Sequence, residues 1–280
     1  MTEPSEYTPP KVWTWNKANG GRFAKTNRPI AGPTHEKELP VGRHPLQLYS
    51  LGTPNGQKVT IMLEELLALG KSGAEYDAWL IDIGEGDQFG SGFVAVNPNS
   101  KIPALSDRSG ATPIRVFESG AILLYLAEKT GKFIPHDPVK RYDTIQWLMV
   151  QMANVGPMSG QLVHFSKFAP AGQDYANARY RTQVNKIYDV YDAKLAKTAY
   201  VAGDEYTIAD MAAFPWLRNV DLLAIDLSKR PHVKAWIDKI GARDAVKRAY
   251  GKIATIKSVR DSASDDAKDR FFGRGKYAVA

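Results

Sequence analysis

Hydrophobic positions change period along this chain, from short β-like runs in the first half to helical spacing in the second. Leu46 to Ser50 alternates and predicts a strand. After the loop Leu51 to Gly56, Val59, Met62, Leu63 and Leu66 recur at i, i+3, i+4 and i+7, which predicts an amphipathic helix that Gly70 ends. Tyr76 to Ile83 reads as the next strand. Lys101 to Leu105 and Ile114 to Phe117 read as two more, joined by the turn-forming cluster Asp107 to Gly110 into a β-hairpin. Pro103 falls at the start of its strand, where a missing N–H donor is tolerated. The apolar run Ala121 to Ala127 predicts a helix, with Ser119 as its N-cap.

Two strands joined by a helix should pair in parallel through a right-handed crossover. The order β-α-β, then an antiparallel hairpin and a closing helix, is thioredoxin-like. Beyond Pro135 the pattern turns helical. Pro138 to Gln151 leads into GPMSGQ, and Val184, Ile187, Tyr188, Tyr191 and Leu195 then mark one face of a long helix. Val233, Trp236, Ile237 and Ile240 follow Pro231, which suits a first-turn proline. The expected fold is an α+β N-terminal thioredoxin-like domain followed by an all-α helical bundle. Its expected parts are an extension over residues 1–45, the thioredoxin-like domain over 46–134, the helical domain over 138–254 and a tail over 255–280. The extension is rich in Pro, Gly, Asn and Lys, has Val12, Trp13 and Trp15 as an apolar anchor, and is expected to drape over the body.

Composition narrows the chemistry. With 280 residues, 44% of them hydrophobic, the chain can build one large core or two modest ones. No run approaches the roughly 18 apolar residues of a membrane span. The polar opening MTEPSEYTPP lacks the pattern of a signal peptide, so the expected compartment is the cytoplasm and no membrane partner is expected. There is no cysteine, which excludes disulfides and protein-borne thiol chemistry; any sulfur must arrive on a ligand. The net charge of +7 is spread among acids without a dense basic tract, which argues against a nucleic-acid partner and suits a small anionic ligand. The five histidines show no metal-ligand spacing, so no metal is expected.

The candidate chemistry gathers around the hairpin. A cis Ile102–Pro103 bond would turn the Ile102 backbone polar groups into a cleft, and the amides of the helix that follows Glu118-Ser119-Gly120 would lie beside it. An anion there would gain hydrogen bonds and a favourable helix dipole. A helix cap after a hairpin is the simpler reading of the same residues. Thr53-Pro54-Asn55-Gly56 stands where a thioredoxin-like fold carries its redox motif. A threonine hydroxyl is too weak an acid to act unaided as a nucleophile, but it can donate to a thiolate or a disulfide sulfur. The same four residues also read as a turn that opens a helix. Thr207 and Asp210 form a capping-box pattern, and capping rather than base catalysis is the expected role of Asp210.

NPNSKIPAL followed by VFESGAILLYLAE resembles the glutathione transferase superfamily, and the Thr-Pro-Asn loop with the long N-terminal arm resembles its bacterial nu class. The likeness runs from the VWTW region to about Ala249. One departure is Asp244 in GARDAV, where a proline is usual, and it touches a helix start rather than the site. The resemblance implies glutathione as co-substrate, with Glu118 and Ser119 holding its γ-glutamyl end and the Ile102 backbone pairing with its cysteinyl part. Pro54, Lys101, Pro103, Gly120 and Gln88 join that site, and Thr53 and Asn55 are the implied catalytic pair. It also carries over Asn27 from the arm, Arg179 reaching a second glutathione, and Gln151 with Lys167 or Phe168 facing the second substrate. Without the resemblance, Gln88 reads as a surface loop residue and Arg179 as a solvated charge. The implied activity is thiol–disulfide exchange with two glutathiones, or oxidised glutathione, in each site of a homodimer. The alternatives are a lyase that removes glutathione from thioethers such as aromatic β-ketone conjugates, a conjugating transferase and a non-enzymatic binding protein.

Overall fold

The computed structural model describes residues 8, 10–14, 31–169 and 171–255. Four strands form one sheet, β1 (Leu46–Ser50), β2 (Tyr76–Leu80), β3 (Ala104–Asp107) and β4 (Ile114–Phe117), in the order β2-β1-β3-β4. β1 pairs in parallel with β2 and antiparallel with β3, and β3 pairs antiparallel with β4. Between β1 and β2 runs α1 (Pro54–Ala68); α2 (Ser91–Val96) precedes β3, and α3 (Ser119–Thr130) follows β4. The expected thioredoxin-like strand order is present, and α2 is an added helix that the sequence reading does not contain.

The strand limits differ from the sequence reading. β1 alternates in residue type, yet all five of its residues are buried, because it is a central strand covered on both faces. Leu46 and Leu48 enter the main core, while Tyr49 joins a smaller one with Ile81, Phe93, Val96 and Ala104. β2 stops at Leu80 rather than Ile83. β3 begins at Ala104, after a cis Ile102–Pro103 bond, and runs on to Asp107. Asp107 is a paired strand residue rather than the first of a turn, because its carboxylate is buried between Tyr125 and Lys129 of α3 at 2.6 and 2.7 Å.

Helices make up the second half. They are α4 (Pro138–Val150), α5 (Gly156–Val163), α6 (Asp174–Leu195), α7 (Ile208–Leu217), α8 (Val220–Leu223), α9 (Pro231–Gly241) and α10 (Asp244–Thr255). A π-helical turn, Gln151–Val155, joins α4 to α5, and another, His164–Phe168, follows α5. α6 buries Val184, Ile187, Tyr188, Tyr191 and Leu195, the face that its periodicity marks. α9 opens on Pro231 and buries Val233, Trp236 and Ile240. Pro215 lies inside α7, which ends at Leu217. α1 packs on α3, α7 and α10, so one core runs from the sheet through Ile61 and Leu123 to Tyr188 and Phe214.

The part of the N-terminal extension nearest the sheet is bound to the body. Thr34, His35 and Lys37 exchange backbone hydrogen bonds with the segment 89–92, and Lys37 pairs with Asp87 at 2.6 Å. Gly92 leaves no room for a side chain there, since a Cβ would lie 2.8 Å from backbone atoms of Lys37 and Leu39. Among the described residues no helix is long and apolar enough to cross a membrane, and no group of acidic or histidine side chains could hold a metal ion.

Candidate functional site

Sheet register gathers three loops at one end. Tyr49 of β1 faces Ala104 of β3, and Ala104 faces Phe117 of β4. Because β3 is antiparallel to both neighbours, the exit of β1, the entry of β3 and the exit of β4 share an edge. The chain therefore brings Thr53-Pro54-Asn55, Lys101-Ile102-Pro103 and Glu118-Ser119-Gly120 to the same end of the sheet. β2 is parallel to β1, so the segment leading to Gln88 leaves from that end as well.

Thr53 is the N-cap of α1, and its Oγ1 accepts from the Gly56 N–H at 3.4 Å. Both readings of this loop are thus compatible, since a hydroxyl that accepts from a backbone amide keeps its own proton to donate. Gly56 is required by the tightness of the turn, because a Cβ would lie 2.0 Å from the Leu51 carbonyl oxygen. Asn55 is fixed from the helical half of the molecule, where Trp216 Nε1 donates to its Oδ1 at 3.0 Å. An indole N–H can only donate, so the amide has one orientation, with its NH2 group turned away from the ring. The Trp216 ring lies over Gly156 and Gly160 of α5, where an added Cβ would stand 3.7 Å from it.

At the start of α3 the structure departs from the expected cap. Glu118, not Ser119, is the N-cap; it has φ 70° and its side chain makes no capping bond. Ser119 is already helical, and its hydroxyl is drawn to the buried Lys58 instead. Positive φ at a non-glycine residue is costly and concentrates at ligand sites. The first amides of α3 have no intrahelical acceptor, and among the described residues the N-cap side chain does not cap them. Gly120 lets this helix start press against the first π-turn, since a Cβ would lie 2.8 Å from Met152 Cγ.

Lys58, on α1, is 1% exposed and bridges these parts. Its Nζ donates to Gln151 Oε1 at 2.5 Å and to Ser119 Oγ at 3.1 Å, with Met152 Sδ at 3.5 Å. Burial lowers its pKa to about 7, against the opposing charge of Glu118. Gln151 is itself fully buried, so it packs behind the helix start rather than lining a wall, because the π-turn swings it inward onto Lys58.

Gln88 lies in a helical turn, Asp87–Phe89, and is 2% exposed, which corrects its reading as a surface residue. The turn is folded inward by Asp87, whose carboxylate accepts from the Asp82 N–H and from Lys37. Gln88 Nε2 donates to the Ile83 carbonyl at 3.3 Å, while its Oε1 is buried without a partner among the described residues. Lys101 is exposed and Ile102 half-buried. Arg179 is exposed on α6 beside a shallow depression with Tyr175, Thr182 and Gln183. Lys167 is exposed and Phe168 half-buried in the second π-turn. Asn27 lies outside the described residues.

Asp210 is a cap and not a base. Its carboxylate accepts from the backbone N–H groups of Val201 and Thr207 and from Trp236 Nε1, at 2.9, 3.0 and 2.9 Å, and the full capping box with Thr207 is formed. Sequence reasoning missed two residues that shape the site, Lys58 and Trp216. Lys58 had a signal: it stands four residues before Met62 on the apolar face of α1, where a lysine is out of place. Trp216 had none, because its partner is 161 positions away.

Comparison with known proteins finds relatives of this two-part fold. The model "Glutathione S-transferase, N-terminal domain" matches residues 44–128, and "Glutathione S-transferase, C-terminal domain" matches residues 156–244. A relative from Escherichia coli K12, the disulfide-bond oxidoreductase YghU, is 59% identical over 255 residues, covering 89% of this chain and 88% of the relative. A crystal structure of the glutathione transferase YghU from Streptococcus pneumoniae, complexed with glutathione, superposes with a TM-score of 0.82 at 45% identity, covering 87% of this chain and 96% of that one. A Pseudomonas putida glutathione transferase with one glutathione disulfide bound per subunit has a TM-score of 0.67 at 39% identity, covering 74% and 92%.

Proposed function

The chain belongs to the glutathione S-transferase family, and we propose that it is a glutathione-dependent enzyme of thiol–disulfide exchange. The observation that carries this reading is a pair of neutral donors at the start of α1 whose oxygens each already accept one hydrogen bond. Thr53 Oγ1 is occupied by the Gly56 amide and Asn55 Oδ1 by the Trp216 indole, which leaves the Thr53 O–H and the Asn55 NH2 for an incoming sulfur. With no cysteine in the chain, that sulfur belongs to the ligand. Hydrogen bonds to a thiolate favour its charged form, and each unit of lowered thiol pKa corresponds to about 1.4 kcal/mol. The helix dipole adds roughly 0.3 to 1 kcal/mol in the same direction.

In this reading the glutathione thiolate attacks one sulfur of a disulfide and forms a new S–S bond, and the other sulfur leaves as a thiolate that takes up a proton. A second glutathione then attacks the mixed disulfide, releasing the remaining thiol and oxidised glutathione. Glu118, with its carboxylate exposed, takes the ligand's amino group, while Ser119 and the first amides of α3, Gly120 included, take its α-carboxylate. The backbone of Lys101 and Ile102 before cis Pro103 pairs with the cysteinyl unit, and Pro54 closes the loop beside it. Gln88, with an unpaired buried oxygen, and Asn27 complete this end, and Arg179 meets the second glutathione. Residues 46–134 bind the first glutathione and 138–254 cover it, in a homodimer that light scattering would report as twice the chain mass.

Turnover of hydroxyethyl disulfide with glutathione, coupled to glutathione reductase, tests the proposal. The wild type should be active. Thr53→Ala and Asn55→Ala should each lose activity with little change in glutathione affinity; an inactive wild type, or two fully active variants, would remove disulfide exchange as the function.

A further inference from the structure

Lys58 is the most anomalous buried group in the described chain. Its ammonium faces three neutral atoms, the Ser119 hydroxyl, the Gln151 carbonyl oxygen and the Met152 sulfur, and no carboxylate of the described residues forms an ion pair with it. Burying a charge without a counter-charge costs several kcal/mol, and a methionine would fill the same space on α1 without that cost. Its hydrogen bonds satisfy the buried Gln151 oxygen but supply no opposing charge. What sets its position apart is Ser119, which joins the ammonium to the uncapped start of α3.

We propose that Lys58 is the buried counter-charge for the α-carboxylate at the γ-glutamyl end of the ligand, and that it makes the site select ligands with an anion at that position. This rests on the glutathione reading of the site and goes beyond it, because Lys58 acts as a positioning residue and does not itself touch the ligand. Its Nζ–H occupies a lone pair of Ser119 Oγ, so the hydroxyl proton must be donated away from the ammonium. That proton goes to Met152 Sδ, 3.6 Å away and a weak acceptor. A carboxylate that accepts it instead would stand within about 6 Å of the ammonium, close enough for strong attraction in a buried setting. Ligand binding would thus supply the missing negative charge. The charge of Glu118, at the exposed β4–α3 junction, reaches Lys58 from that side, while the π-turn presents only neutral groups, Gln151 and Met152. Lowered to about 7 by burial, the amine is partly neutral at physiological pH, so an arriving carboxylate would draw a proton onto it.

The test compares glutathione with 4-aminobutyryl-cysteinyl-glycine, which lacks only the α-carboxylate, by calorimetry on the full chain. The wild type should prefer glutathione. Lys58→Met should weaken glutathione on the order of tenfold to a hundredfold and leave the analogue unchanged, so that discrimination collapses. Equal loss for both ligands would reduce Lys58 to a packing role and overturn the proposal, as would unchanged binding of glutathione. A wild type that binds neither ligand would instead remove the glutathione reading itself. A second measurement needs no variant: near pH 8, titration in buffers of different ionisation enthalpy should show more proton uptake with glutathione than with the analogue. An equal proton balance for the two ligands would also overturn the proposal.

Discussion

Two helix starts in this protein each combine a hydroxyl with a carboxylate and reach opposite states. At α7, Thr207 and Asp210 close on each other, and the Asp210 carboxylate is saturated by two backbone amides, an indole N–H and a hydroxyl. At α3, Glu118 remains exposed at positive φ, Ser119 turns to a buried ammonium, and the first amides stay uncapped. Both places bury an ionisable group, Asp210 fully and Lys58 almost fully. One charge is answered from within the chain and the other is not. Saturation, rather than residue type, separates a structural cap from a site prepared for a ligand.

That contrast sets the order of expected effects. Asp210→Ala should cost about 3 to 5 kcal/mol, read as a fall in urea midpoint, because it strands several buried donors at once. Ser119→Ala should cost about 1 kcal/mol or less in stability yet weaken glutathione binding by about tenfold or more; a large stability loss there would erase the distinction between the two starts. At the loop of α1, Asn55→Ala should lower kcat/KM by on the order of 10- to 100-fold.

A smaller effect is expected from Trp216→Phe, which keeps an aromatic ring at this position but loses the N–H bonded to Asn55. It should lower kcat/KM several-fold, and it should add little in an Asn55→Ala background, because both changes act through one amide. Additive losses would show that Trp216 acts elsewhere.

The smallest effect is one of pH. Burial raises Asp210 to about 6, so its contribution to stability is full below its unfolded value of 3.8 and is lost as pH rises through 6. Lys58, lowered by burial to about 7, behaves in the opposite sense: its contribution is present above its unfolded value of 10.5 and is lost as pH falls through 7. Thermal unfolding of Lys58→Met should therefore be flatter between pH 7 and 10.5 than that of the wild type, with no change between pH 4 and 6. A profile that moves in the acidic window instead would contradict this assignment.

Much of the fold was legible because it depends on local rules. The buried face of α6, the Pro231 start of α9, the Thr207–Asp210 box and the succession of the four strands with α1 and α3 all follow from spacing and from residues within a few positions of one another, whereas the short helix α2 carried no such signal. The Thr53-Pro54-Asn55-Gly56 turn was legible for the same reason, as a proline-led helix start. The limits of β3 were not, since Asp107 belongs to the strand only once Tyr125 and Lys129 of α3 close over its carboxylate.

The sequence by itself determined the main strands and helices, that no protein thiol takes part, and which loops are rich in polar donors. Tertiary structure alone decided which of those donors are free. Asn55 is oriented by an indole 161 positions away, Lys58 meets Gln151 across 93, and Ser119 loses its capping role to a side chain 61 positions earlier. Hydrogen bonds and charges act over a few ångströms in space with no regard for separation along the chain, so their balance exists only after the core has closed.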